Sequence, residues 1–151
     1  MAKAEVNIRE SYPIIIGNQE IISEDRHSMD AVSPATGEVV AKVPLAQPDV
    51  VDLAVEGAAE AQIGWSSLSM AERGAYLNKF ADALRKESER LSAIDSFDSG
   101  NPLHYMRNDL LYGADSLDYF AGIARELHGK TLPASSNGIH MTLREPYGVV
   151  A

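Results

Sequence analysis

The sequence contains no cysteine, and this absence excludes several kinds of chemistry at once. Its 151 residues can form no disulfide, no thiolate metal site and no cysteine nucleophile. The four histidines, His27, His104, His128 and His140, lack the short spacing to other ligand residues that metal sites usually show. No Gly-x-Ser-x-Gly, P-loop or Gly-x-Gly-x-x-Gly motif occurs. Composition and spacing therefore predict no catalytic constellation.

Positive charge is also scarce, with 13 Lys and Arg against 22 Asp and Glu and a formal net charge of −9. Binding to phosphates of nucleic acid or to anionic lipid requires clustered basic residues, so we predict neither nucleic acid nor a membrane as a partner. No apolar run approaches the roughly 20 residues that a membrane span requires. Residues 1–12 lack the apolar core of a signal peptide, and we predict a cytoplasmic location.

The segment 101–129 organises what is present. Asn101 is predicted to cap a helix, Pro102 to occupy its first position and Gly129 to end it, after roughly seven turns. Apolar residues recur there at steps of three or four and predict one buried face, made of Leu103, Met106, Leu110, Ala114, Leu117, Ala121, Ala124 and Leu127. Such a helix must pack its apolar face against other elements, because an isolated helix is only marginally stable in water.

The upstream half predicts short strands followed by helices. Ile14–Ile16 and 20–22, joined by Gly17 and Asn18, resemble a hairpin, and 29–32 and 39–43 predict two more strands. Pro48 is predicted to begin a helix whose apolar face comprises Val51, Ala54, Val55, Ala58, Ala61 and Trp65. Ser69 and Glu72 form a capping-box pattern for the next helix, and a shorter one is predicted over about 90–97, ending at Ser99-Gly100.

Two features of the second half leave alternatives open. Tyr105, Tyr112 and Tyr119, spaced by seven, form either a half-buried helix edge with hydroxyls in water or the wall of an apolar pocket. Asp95 and Asp98 form either a solvated helix face or a carboxylate pair for acid–base work. Downstream, the alternation over 139–144 predicts a half-buried strand, and 148–151 begins an apolar run typical of a buried strand.

Several motifs, in order and spacing, resemble the N-terminal segment of the aldehyde dehydrogenase superfamily. Residues 33–38, Ser-Pro-Ala-Thr-Gly-Glu, resemble its Asn-Pro-Ala-Thr-Gly-Glu turn, and residues 98–102 resemble its Asp-x-Gly-Lys-Pro, with Asn101 in place of Lys. Further matches are Trp65 with Ala71-Glu72-Arg73, Tyr119-Phe120-Ala121-Gly122, Thr131-Leu132-Pro133 and, most specific, Arg144-Glu145-Pro146-Tyr147-Gly148-Val149-Val150. Among subfamilies, the sequence looks somewhat like betaine aldehyde dehydrogenases.

The resemblance implies an α/β fold with three parts. Residues 1–128 would be the N-terminal part of the NAD(P)-binding domain, 129–146 an oligomerisation-type strand segment and 147–151 the start of the first core strand. Family members oxidise aldehydes to acids with NAD or NADP, using a Cys nucleophile and a Glu that activates water. The chain resembles roughly the first third of such an enzyme and has none of these parts, so we expect the segment alone to be inactive and to bind no cofactor. The alternative is a truncated, stand-alone interaction or oligomerisation module without catalysis.

The resemblance also implies roles for individual residues. The Val32 carbonyl and the Asp98 side chain would hold a monovalent cation. Asn108 and Tyr112 would line the mouth of the substrate tunnel. The strand over 139–144 would belong to the oligomerisation sheet, so the expected partners are an aldehyde, the remainder of the enzyme and further copies in a homo-oligomer.

Overall fold

The computed structural model describes residues 6–21, 28–133 and 137–151. These residues form four α-helices and six short strands, and the strands pair into three separate two-stranded antiparallel sheets. The strands are β1 (Ile14–Ile16), β2 (Gln19–Ile21), β3 (Ser28–Val32), β4 (Val39–Pro44), β5 (Thr131–Leu132) and β6 (His140–Met141). Within the described ranges, no helix is long and apolar enough to cross a lipid bilayer.

The two N-terminal hairpins lie where the sequence predicts them. In the first, β1 pairs with β2 through a two-residue turn in which Gly17 has φ +59°. Asn18 does not share the positive φ, and a positive φ at the first central position alone is typical of a type II′ turn. In the second hairpin β3 pairs with β4, with an irregularity in register between Ala31 and Val32. Residue 22, predicted to extend β2, lies outside the described residues.

Helix α1 (Pro48–Ser67) begins at the predicted proline, but its apolar face is exposed. None of its residues is buried, and Ile63 is 75% exposed. Among the described residues this helix packs against little more than β1. The predicted amphipathic pattern is therefore present without an element to cover it.

The core lies between α2 (Met70–Lys86), α3 (Ser88–Ser99) and α4 (Leu103–Ile123). Helix α4 packs across α2 and α3 through the stripe predicted from its sequence, in which Met106 and Ala114 are buried. On α2, Ala81 is fully buried and Gly74 allows a close approach. A Cβ on Gly74 would lie 3.0 Å from the Ala121 carbonyl oxygen, so the two helix backbones nearly touch there.

Both ends of α4 differ from the prediction. Asn101 does not cap the helix; Pro102 is the N-cap residue and makes no side-chain cap hydrogen bond. The backbone of Asn101 is engaged by α3 instead, since its N–H donates to Ser99 Oγ at 3.2 Å and its carbonyl accepts from Ser96 Oγ at 2.6 Å. The α-helix ends at Ile123, six residues before the predicted stop, and continues as a 3₁₀ turn over Ala124–Glu126.

The prediction of a half-buried strand over 139–144 is wrong in length and in burial. Strand β6 contains two residues and pairs with β5. Ile139, Met141 and Leu143, the predicted inward side chains, are 76%, 61% and 76% exposed. Residues 148–151 form no strand, and Val150 is exposed. A strand reaches its full length and burial only when neighbours pair along it and cover its face. Here β5 pairs with only two residues of β6, and no described element covers the apolar side chains.

Candidate functional site

The β3–β4 turn is attached to the C-terminal end of α3. The Ser33 side chain, almost fully buried, donates from Oγ to the Phe97 carbonyl oxygen at 3.1 Å. Carbonyls in the last turn of a helix lack intrahelical donors, so this hydroxyl satisfies one of them. Gly100 ends α3 with φ +76°, and a Cβ there would lie 2.9 Å from Pro34 Cγ. The turn and the helix end are therefore in close contact.

The two predicted cation ligands flank this contact. Val32 precedes Ser33, and Asp98 follows Phe97, so the hydrogen bond joins their immediate neighbours. Asp98 also lines a cavity of about 350 Å³ together with Ala31, the residue before Val32. Within the described ranges, no group of three or more His, Cys, Asp or Glu residues could hold a metal ion. A cation at this place would therefore depend on backbone carbonyl oxygens as well as on the one carboxylate, and the cation site stays a prediction.

Asp95 lines the same cavity as Asp98, one helical turn earlier on α3. Both residues are exposed. Apolar side chains from the N-terminal segment and from β4 form the opposite wall, among them Ile8 and Val40. Exposure favours the solvated helix face over the acid–base pair as the explanation of their spacing.

The predicted substrate-lining residues lie on the outer face of α4. Tyr112 is 76% exposed and Asn108 is also exposed, whereas Met106 and Ala114 are buried on the opposite side. The tyrosines one heptad before and after are exposed too, more than expected of a half-buried edge, the first of the two alternatives for these residues. The outer face of α4 is therefore free to contact another part of a larger assembly, and the role at the tunnel mouth stays a prediction.

A charged cluster near this face was not anticipated from the sequence. Arg85, near the C-terminal end of α2, donates from Nη2 to Asp115 Oδ1 at 2.7 Å and to Asp118 Oδ2 at 2.6 Å. Its Nη1 lies 3.7 Å from Asp82 Oδ1. The hydrogen bond to Asp115, followed by that to Asp118, raises the pKa of the Arg85 guanidinium. The available sequence signal was the spacing of three between the two carboxylates on α4, which places both on one side of that helix.

A family model described as "Aldehyde dehydrogenase family" matches residues 21–151. The chain belongs to the aldehyde dehydrogenase family. The curated aldehyde dehydrogenase tropH of Talaromyces stipitatus is 39% identical over 125 residues, which make up 81% of this chain and 24% of that protein. The motif resemblance and the family model therefore agree.

Solved structures of aldehyde dehydrogenases share the fold. Lactaldehyde dehydrogenase from Escherichia coli superposes with a TM-score of 0.79 at 26% identity, over 85% of this chain and 27% of that one. PnpE in complex with nicotinamide adenine dinucleotide superposes with a TM-score of 0.76 at 31% identity, over 85% and 26%. The chain thus has the fold of the N-terminal part of an aldehyde dehydrogenase and spans about a quarter of the length of these relatives.

Proposed function

We propose that this chain is the N-terminal segment of an NAD(P)-dependent aldehyde dehydrogenase that oxidises an aldehyde to its carboxylic acid. The observation that carries the proposal is the family match over residues 21–151, supported by the shared fold. The complex of PnpE with nicotinamide adenine dinucleotide supports the choice of cofactor class. The bound nicotinamide would accept the hydride that the aldehyde loses. Below, "full-length enzyme" means the complete protein that contains these residues.

The segment supplies structure and selectivity to this reaction, not its reacting groups. Its sequence holds no cysteine to attack an aldehyde. Across the described ranges, no helix begins at a glycine-rich turn, the arrangement that binds a dinucleotide pyrophosphate. We therefore assign no catalytic and no cofactor-binding residue to it, and propose that these 151 residues alone neither oxidise aldehydes nor bind NAD.

Within the proposed enzyme the parts keep the roles implied by the family. Residues 1–128 belong to the NAD(P)-binding domain, 129–146 to the oligomerisation sheet of a homo-oligomer and 147–151 to the first core strand. Asn108 and Tyr112 border the substrate path, because they occupy the outer face of α4, away from its own core. The location is cytoplasmic.

The cation site is the part of the proposal with a local geometric basis. Oxygen atoms from a carboxylate and from backbone carbonyls suit a hard cation. Val32 and Asp98 are the sequence neighbours of Ser33 and Phe97, whose hydrogen bond joins the β3–β4 turn to α3. Full-length enzyme with Asp98 replaced by Asn should lose any dependence of activity or stability on added potassium or sodium. An unchanged dependence would place the cation elsewhere.

The test of the function itself is an assay of purified full-length enzyme with a panel of aldehydes and with NAD and NADP, following the reduced nicotinamide. Turnover is expected with at least one pair. The isolated 151 residues serve as the control and should show none. No turnover by the full-length enzyme with any pair would contradict the proposal, and turnover by the isolated chain would contradict the assignment of all reacting groups to other residues.

A second candidate is a stand-alone interaction module without catalysis. The observation in its favour is the amount of exposed apolar surface, including Ile63 on α1, the β5–β6 hairpin and Tyr147, which is fully exposed. Such surfaces promote association. Light scattering on the isolated chain separates the two. Self-association or aggregation is expected of a segment that packs within a larger enzyme, whereas a defined small oligomer together with a catalytically silent full-length protein would favour the module.

A further inference from the structure

One guanidinium joins helix α2 to two successive turns of α4. Arg85 Nη2 lies 2.7 Å from Asp115 Oδ1 and 2.6 Å from Asp118 Oδ2, so a single nitrogen serves both carboxylates. The Arg85 side chain is 34% exposed and that of Asp118 is 42% exposed, so water screens this pair less than the pair with Asp115, whose side chain is 72% exposed. Charge-assisted hydrogen bonds of this length are among the stronger ones in proteins.

The ion cluster of Arg85, Asp115 and Asp118 contacts α4 within two turns of Tyr112. Asp115 follows Tyr112 by three residues, and the intervening turn is closed by a hydrogen bond from Ser116 Oγ to the Tyr112 carbonyl oxygen at 2.9 Å. Rotation of α4 about its own axis would carry both carboxylates away from Arg85 together. The outward direction of Tyr112 is therefore coupled to the geometry around Arg85.

Side-chain packing beside this cluster involves small residues. The most buried residues here are Ala81 on α2 and Ala114 on α4, both fully inaccessible to solvent. Helices are held in register by ridges of side chains that fit into grooves of the neighbour, and alanines present low ridges. The ion cluster adds a directional contact to this packing.

We propose that Arg85 is a positioning residue for substrate selection, acting by fixing the turn of α4 that carries Tyr112. This inference rests on the proposed function, in which Tyr112 borders the path of the aldehyde. Arg85 itself touches no substrate. Its role is to hold the Tyr112 side chain in the orientation that discriminates between aldehydes of different size.

The experiment compares kcat/KM for a small and a bulky aldehyde in the full-length enzyme. Arg85→Gln, which removes the charge, should change the ratio of the two values by roughly 3- to 30-fold, because mutations that contact no ligand can alter the coupling between sites on this scale. Arg85→Lys should recover part of the change. Arg90→Gln is the matched control: Arg90 pairs at 2.8 Å with Glu87, near the start of α3, and should leave the ratio unchanged.

A double-mutant cycle separates positioning from general stability. If Arg85 acts through Tyr112, then Arg85→Gln should have little further effect on the ratio once Tyr112→Ala is present. An equal loss of kcat/KM for both aldehydes, or additive effects in the cycle, would overturn the inference. If Arg85→Gln fails to fold, Asp115→Asn, which leaves the bond to Asp118, must still change the ratio. An unchanged ratio in that variant would also overturn the inference.

The outcomes also distinguish this inference from the function on which it rests. A full-length enzyme without aldehyde oxidation would overturn both. An active enzyme in which Tyr112→Ala changes the ratio and Arg85→Gln does not would overturn only the role of Arg85.

Discussion

Gly129 lies so close to the Thr142 carbonyl oxygen that a Cβ on Gly129 would be 1.9 Å from that atom. Two hydrogen bonds between Lys130 and Thr142 hold the two backbone segments together. The Thr142 N–H donates to the Lys130 carbonyl at 2.8 Å, and the Lys130 N–H donates to Thr142 Oγ1 at 2.8 Å. Gly129 thus lies beside a backbone pairing and not at the end of α4, which stops at Ile123. Residues 129 and 130 pack against Thr142 next to the β5–β6 hairpin. The space between Gly129 and Thr142 is too small for a side chain on residue 129.

Gly129→Ala should therefore separate the two sides of this hairpin in the full-length enzyme, because the clash is with backbone and cannot be relieved by a rotamer change. Hydrogen–deuterium exchange at the Thr142 amide should become faster. Gly122→Ala is the control: its Cβ would meet no atom within 4 Å, and it should stabilise the helix by about 0.4–1 kcal/mol. Unchanged exchange in Gly129→Ala would show that the hairpin tolerates a wider separation.

Ser33→Ala should destabilise the contact between the β3–β4 turn and α3. The substitution leaves the Phe97 carbonyl without its donor in a buried place, which costs about 1–3 kcal/mol. Thr36→Ala removes a neighbouring hydroxyl that accepts only from the exposed Glu38 N–H, at 3.3 Å, and should have a much smaller effect. In the full-length enzyme, the melting temperature of Ser33→Ala should be lower than that of Thr36→Ala. Equal melting temperatures would mean that water replaces the Ser33 hydroxyl.

The capping box at the start of α2 should make that helix sensitive to acid. The side-chain hydrogen bond with Ser69, and then the bond from the Ser69 backbone N–H at 2.8 Å, lower the pKa of Glu72. A group whose pKa is lowered on folding stabilises the folded form above its unfolded pKa, about 4.3 for Glu. That stabilisation is lost as the pH falls through the lowered value.

A peptide spanning residues 67–87 is suited to this measurement, because its helix is marginal enough for a cap to matter. Its helicity by circular dichroism should fall below about pH 4.3. Glu72→Gln preserves the capping-box pattern but does not titrate, so the part of the acid loss that Glu72 causes should be absent from that peptide. Identical pH curves for the two peptides would assign the loss to other carboxylates.

Tyr112→Ala should change substrate selection without unfolding the full-length enzyme. Tyr112 is 76% exposed within these residues, so its removal costs little local packing. If it borders the substrate path, kcat/KM should shift between aldehydes by roughly 1–3 kcal/mol, the scale of one pocket contact. Tyr105→Ala, two turns earlier on the same helix, is the control for the loss of an exposed ring. A loss of stability with unchanged selectivity would make Tyr112 a structural residue.

The sequence by itself determined the features that depend on a few adjacent residues. The capping box of Ser69 and Glu72, the Gly17 turn and the stop of α3 at Gly100 all lie where predicted. Each arises from the local competition of backbone hydrogen bonds and φ preferences, which short patterns encode. The motifs that indicated the aldehyde dehydrogenase family belong to the same class, since they are read along the chain.

Only the tertiary structure decided the features that depend on atoms far apart in the sequence. Asn101 has the side chain of a capping residue, but its backbone forms hydrogen bonds with the Ser96 and Ser99 hydroxyls of α3, and it does not cap α4. The alternation over 139–144 is real, yet no element within the described ranges covers its apolar side. Arg85 links two helices because α4 brings Asp115, 30 residues later in the sequence, beside it. Burial and ion pairing are properties of neighbours in space, and a one-dimensional pattern specifies which side chains are available without specifying what will stand opposite them.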